Sequence, residues 1–269
     1  MRKISALMVV VVALSFFALG YVVGVRSMAL TLTIGSGPIA LVQKMATVTV
    51  TDWGAGYMGP ITLTLPAPST AGTALLIVLS NSYSSGALTV TMPAGWVKLI
   101  SQVEGTTSNI EVWADLYNPG GIQVVNIPVA GIGIATWLTH LSEWANVASA
   151  APLDASGSTS ATSGTTLAPT TSGNVITAGD VALTAWMQRA AGAVTFTTPG
   201  GFTRLIDNGS DGTHTVHLDI EYRLNPATGA PLGPTLTSTG TTTSAVGAIT
   251  VLKKAPDPVD LTAFLAYRR

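Results

Sequence analysis

From residue 30 onward, apolar residues come in short runs separated by Gly, Pro, Asn and Ser, and no long stretch repeats them at helical spacing. Where the pattern is clearest it alternates. Ile110, Val112, Ala114 and Leu116 are interleaved with Glu111, Trp113 and Asp115. Val216, Leu218, Ile220 and Tyr222 are interleaved with His217, Asp219, Glu221 and Arg223. Successive side chains of a strand point to opposite faces, so these segments predict strands with the apolar set in the core and the polar set in solvent. Short strands with turn residues between them predict an all-β fold, an antiparallel β-sandwich. Two more period-two segments, Leu30–Ile34 and Ala46–Thr51, lie upstream.

The pattern occurs twice. Ala71-Gly72 leads into Ala74–Leu79, and Ala178-Gly179 leads into Val181–Trp186. Met92-Pro93-Ala94-Gly95-Trp96 then matches Thr198-Pro199-Gly200-Gly201-Phe202, with 106 residues from Trp96 to Phe202 (202 − 96). At that spacing Ile110–Tyr117 aligns with Val216–Arg223, and Ala135–Leu141 takes the place of Ala245–Val251. The Pro-x-Gly turns fix tight bends, and the aromatic after each is expected to plug an edge of the core. The expected organisation is a signal peptide or membrane anchor over 1–29 and a strand segment over 30–58. A duplicated sandwich follows over 59–254 (copies at about 60–150 and 165–254), then a C-terminal helix over 255–269. The Ser/Thr/Gly stretch Asp154–Gly173 reads either as a flexible linker between two domains or as strand within one.

Three segments carry a resemblance: Pro93–Trp96, Trp144–Val147 and Pro152–Gly157. With the order of strands around them, residues 60 to 254 resemble a β-sandwich module of bacterial secreted and phage-associated surface proteins. The resemblance implies surface exposure and a jelly-roll-like fold, and it brings no activity with it. The upstream strands give an architectural likeness to donor-strand filament subunits, in which a spare strand completes a neighbour's sheet. The alternative is that they pair at the edge of their own sheet.

The termini read as addresses and caps. Arg2 and Lys3 precede an uncharged run from Ile4 to Val25, the form of an export signal. Ser27-Met28-Ala29 offers a cleavage site, while the length of the run approaches that of a membrane anchor, so both outcomes stay open. Asp257-Pro258-Val259-Asp260 has the residues of a helix start, and Leu261, Phe264 and Leu265 then share one face.

Composition changes the picture in one respect. Only 9% of the 269 residues are charged, the net charge is −1 and there is no cysteine. A near-neutral surface of hydroxyls carries little like-charge repulsion, which favours self-association, and it offers no electrostatic footprint for nucleic acid. Thiol chemistry and disulfides are excluded.

Candidate chemistry is sparse. His217, Asp219 and Glu221 share a strand face with Asp207, Asp211 and His214 nearby, yet a solvated outer face accounts for them and no catalytic residue is assigned. Asp207 and Asp211 bracket an oxygen-rich loop that could take calcium, and Asn208-Gly209-Ser210 is a glycosylation sequon. His140 is expected as a packed imidazole. Trp113 and Tyr117, read as outward aromatics, are candidates for stacking on carbohydrate. The expected role is a non-catalytic extracellular or surface structural protein. It would form homo-oligomers or polymers through edge-strand or donor-strand contacts, with the membrane as a partner if the anchor stays. The alternative is a secreted adhesin or carbohydrate-binding module.

Overall fold

The structure, a computed structural model, describes residues 37–53, 59–105, 108–208 and 215–256. The N-terminal apolar segment, Leu30–Ile34 and the C-terminal helix expected over 255–269, from residue 257 on, lie outside them. The described residues belong to one compact unit, Ser36–Pro256. They are all-β, with antiparallel sheets and no helix.

The first copy supplies β1 (Ala40–Lys44), β2 (Thr49–Trp53), β3 (Ile61–Thr64), β4 (Ala74–Val90), β5 (Trp96–Glu104), β6 (Ser108–Asp115), β7 (Val124–Ile127) and β8 (Val129–Ala145). The second supplies β9 (Leu153–Ala161), β10 (Gly164–Leu167), β11 (Val181–Ala190), β12 (Phe196–Thr197), β13 (Thr203–Asp207), β14 (Val216–Leu224) and β15 (Leu236–Leu252). One sheet runs β1-β8-β4-β6-β5 with β2 also on β8. The other runs β10-β15-β11-β14-β13 with β9 and β12 also on β15, and β3 and β7 form a separate ribbon. Each copy therefore builds its own large sheet. This differs from the expected jelly-roll path, in which the chain winds repeatedly between two sheets.

The Ser/Thr-rich stretch after Asp154 is strand. β9 and β10 pair with β15 as β1 and β2 pair with β8. Of the upstream segments, Ala46–Thr51 thus contributes to β2, which pairs at the edge of its own sheet and has a counterpart in β10, and among the described residues the duplication begins at β1. The physical reason is that β8 and β15 each pair with a central strand on one side only. Their other edge must be covered, and alternating Thr, Ser and Ala make adequate strand for that purpose.

The two large sheets stack face to face. Leu76, Val78, Val112 and Leu138 from the first meet Leu183, Ala185, Leu218 and Val246 from the second. Both outer faces are covered as well. Leu75, Ile77, Leu79 and Trp137 pack under Ile61, Leu63 and Val125 of the β3–β7 ribbon, while Trp186 and Ala182 of β11 pack with Leu236, Phe196, Phe202 and Val175. Strands buried on both faces need apolar residues at consecutive positions, which is why β4 and β11 read as unbroken runs. Each such side chain contributes about 1.5–3 kcal/mol on burial. Trp96 and Phe202, after the Pro-x-Gly turns, both pack on these outer clusters.

Contacts across the stack repeat with the copies exchanged. Lys44 of β1 donates to the Leu205 carbonyl of β13, and Ser158 of β9 donates to Gln102 of β5 at 2.6 Å. Trp144 meets Tyr222 edge-on at 5.3 Å. Asn146, in the left-handed region at φ 63°, ends β8 and turns the chain toward the second copy. Within Pro152–Gly157, Gly157 is required by contact: a Cβ there would lie 1.8 Å from the Thr170 carbonyl oxygen.

Candidate functional site

The residues with the most unusual chemistry lie on the outer face of the second sheet, where β13 pairs with β14. Arg204 is opposite Glu221 and Asp207 is opposite Asp219 in that pairing. Alternation places His217, Asp219 and Glu221 on one side of β14, and all three are fully buried. This corrects the expectation of a solvated outer face: the three side chains are covered, and the β12 backbone reaches Arg204 above them through the Phe196 carbonyl.

Arg204 is the cation of the group. Its guanidinium lies 3.0 Å from Asp219 Oδ1, 3.3 Å from Asp207 Oδ2 and 3.6 Å from Glu221 Oε1, and it donates to the Phe196 carbonyl at 2.7 Å. One positive charge faces three carboxyl groups. Burial, and then the Glu221 carboxyl beside it, push Asp219 up to about 9, against the pull of Arg204. Burial also raises Glu221, while hydrogen bonds from Thr198 and Asp219 and the charge of Arg204 pull the other way. Burial and the adjacent acid thus both favour the protonated form of Asp219. The neighbouring His217 has no hydrogen-bond partner at either ring nitrogen among the described residues.

The first copy holds a different set in the same frame. Strand pairing equates Lys98 with Arg204, Glu111 with Asp219 and Trp113 with Glu221, since Lys98 is opposite Trp113 as Arg204 is opposite Glu221. Lys98 Nζ is 2.7 Å from Glu111 Oε1 and 4.8 Å from the centre of the Trp113 ring. The Trp113 indole N–H donates to Glu111 Oε2 at 2.7 Å. Trp113 is therefore half-buried with a cation against it and its edge tied down, not the open platform expected for stacking. Tyr117 lies beyond the end of β6, 71% exposed, with its backbone N–H donating to Asp115.

Only one of the two expected calcium ligands, Asp207, lies among the described residues. Asp207 pairs with Arg204, and Asp211 and His214 lie outside the described residues. Among the described residues no group of three His, Asp or Glu side chains is placed to hold a metal ion. Asn208 of the sequon accepts from the Leu218 N–H at 2.5 Å and its Nδ2 is buried, so the folded chain does not present it for glycosylation. His140 is buried as a neutral imidazole, its pKa brought down to about 4 mainly by burial.

Two spaces lie among the described residues. A water-sized cavity of about 10 Å³ lies beside Trp186 and Gln188. An open groove of about 320 Å³ runs between Pro199, Phe202, Arg223 and Pro234, away from the acidic group.

Sequence reasoning missed Arg204, Glu143, Asp154 and Asp180. Arg204 could have been found as the counterpart of Lys98, and Asp154 as the one acid of the Pro-Leu-Asp-Ala-Ser-Gly segment. No protein-family model matches the chain, and no curated protein or solved structure matches it either.

Proposed function

We propose that this chain is a non-catalytic structural subunit, exported and exposed outside the cell. Its duplicated β-sandwich, akin to modules of bacterial secreted and phage-associated surface proteins, would act as a rigid block in a filament, layer or virion-type assembly. The observation that carries this proposal is the cover over the two large sheets, each of which is packed on both sides. Recognition then falls to the outer shell, the strand edges and the terminal segments. The shell is nearly uncharged, and β5 presents Val97 and Val103, 45% and 52% exposed, on an edge strand. Leu30–Ile34 would be the donor strand, and the preceding apolar run the export signal or anchor.

Negative-stain microscopy of the exported protein tests this. Ordered polymers or sheets are expected at high concentration, and discrete single particles throughout would sink it. The carbohydrate-binding alternative retains the exposed Tyr117 as its open aromatic. Binding on a glycan array, lost in Tyr117→Ala, would favour that alternative.

A further inference from the structure

Each copy fastens the loop before its central strand to a neighbouring strand through a carboxylate, from β8 in the first copy and from β9 in the second. In the first copy, Glu143 of β8 accepts from the Thr70 N–H at 2.7 Å, the Thr73 hydroxyl at 2.8 Å and the Gln43 amide at 2.5 Å. Burial works to raise its pKa, but these donors outweigh it and hold Glu143 below the usual range. In the second copy, Asp154 of β9 accepts from the Ile176 and Thr177 N–H groups at 2.6 and 3.1 Å. Asp180 accepts from the Lys254 N–H at 2.9 Å. The Ala-Gly turns align Thr73 with Asp180. Where the first copy has a hydroxyl that brings its own hydrogen, the second has a carboxyl that has one only when protonated.

Leu153 and Val181 both pair with Leu252, which brings Asp154 and Asp180 to the same end of β15, and their remaining oxygens, Asp154 Oδ1 and Asp180 Oδ2, are buried with no hydrogen-bond partner among the described residues. We propose that Asp154 and Asp180 form a proton-bridged clasp that ties the start of β9 and the loop before β11 to the chain leaving β15, and that loss of the proton releases it. Burial and the adjoining Asp154 push Asp180 up to about 6, while Lys253 opposes this. Lys253 and Lys254 are the charged groups facing the pair from the end of β15, among the described residues. The other neighbours, Ile176, Thr177 and Asn225, are uncharged. A raised carboxyl pKa means the stabilisation is complete below the unfolded value of about 4 and is lost as pH rises through about 6. The first copy's clasp responds in the opposite sense, since a depressed Glu143 loses its donors' support as pH falls.

Hydrogen exchange of the full chain at pH 5 and 7.5, corrected for intrinsic rates, tests the clasp. The Ile176, Thr177 and Lys254 amides are expected to lose about tenfold protection at the higher pH, while Thr70 does not. Asp180→Thr, which installs the first copy's hydroxyl, is expected to make protection independent of pH. Equal protection of the wild type at both pH values would overturn the proposal, as would an unchanged dependence in Asp180→Thr. Should that variant fail to fold, carboxyl-carbon NMR titration of the wild type decides. A shared proton lost near pH 6 is expected, and two carboxyls both titrating below about 4.5 would overturn it. Calcium restoring the pH 5 protection at pH 7.5 would place a cation in the gap and would equally overturn it.

Discussion

The outer faces of the two sheets carry one backbone design with two electrostatic solutions. On the first, Lys98 sits at the rim with its ammonium 2.7 Å from a single carboxylate and against an indole. On the second, Arg204 lies over two buried carboxyl groups and a third at the strand end. The first pair has one solvated partner, Lys98, and so gains little. A covered one has given up that solvent, so its cation is needed to keep the acids tolerable. The difference between the copies is therefore one of cover, and it shows up as the cost of removing the cation.

The sharpest test is to remove both cations in turn. Arg204→Met is expected to cost about 3–5 kcal/mol by urea unfolding, since it strands buried carboxyl groups. Lys98→Met is expected to cost about 1 kcal/mol or less, its side chain being 40% exposed. Equal costs would mean that the second face is as wet as the first.

The covering layers can be compared through a single glycine. Gly157 lies on β9 opposite Ile249, and the corresponding place on β1's continuation holds Met45, whose N–H bonds to Leu141. Met45 fills the first outer cluster, whereas Gly157 lets the Thr170 carbonyl approach the strand directly. Gly157→Ala is expected to cost on the order of 3 kcal/mol, because the atom it meets is backbone and cannot swing away. Tolerance of alanine would show that the second layer is loosely held.

These comparisons also mark how far the sequence could be read. Strands, sheet sense and duplication followed from alternation and turns, which are local. The alignment of Ile110–Tyr117 with Val216–Arg223 did not survive: pairing matches Trp113 with Glu221, where constant spacing matches it with Asp219. A slip of that size keeps every side chain on its proper face, so the apolar pattern is blind to it. The burial of His217, Asp219 and Glu221 was illegible for a related reason. Alternation says that polar groups face away from the shared core, but only the third dimension shows that another layer lies there. Asp154–Gly173 was read as linker or strand because Thr and Ser suit both, and the open edge of β15 decides between them.

Rising pH should separate the two faces further. Asp219 and Glu221 have raised pKa values, so the folded chain holds a proton that the unfolded chain releases. Their contribution is complete below about pH 4 and is lost as pH climbs toward 9. His140, with its pKa near 4, acts in the opposite sense, with stability lost as pH falls from about 6.5. Above pH 6.5 only the acids remain, and unfolding free energy should decline by up to about 1.4 kcal/mol per pH unit for each proton held. Glu221→Gln should flatten that decline, and a wild type equally stable at pH 7 and 9 would contradict the raised pKa values.

The smallest effect lies on the first face, between Lys98 and Trp113. The ammonium gains from the ring's electron-rich face and from Glu111 together, and the indole N–H draws the same carboxylate into place. A double-mutant cycle with Lys98→Met and Trp113→Leu should return a coupling of about 0.5–1 kcal/mol, the range for a partly exposed cation over an aromatic. Added salt should reduce it only modestly, since the ring contact persists where the ion pair is screened. A coupling of zero would leave the Trp113 face unoccupied in solution and return it to use as a stacking surface. A coupling above that range would mean that Lys98 is held as tightly as Arg204, and the contrast between rim and covered face would disappear.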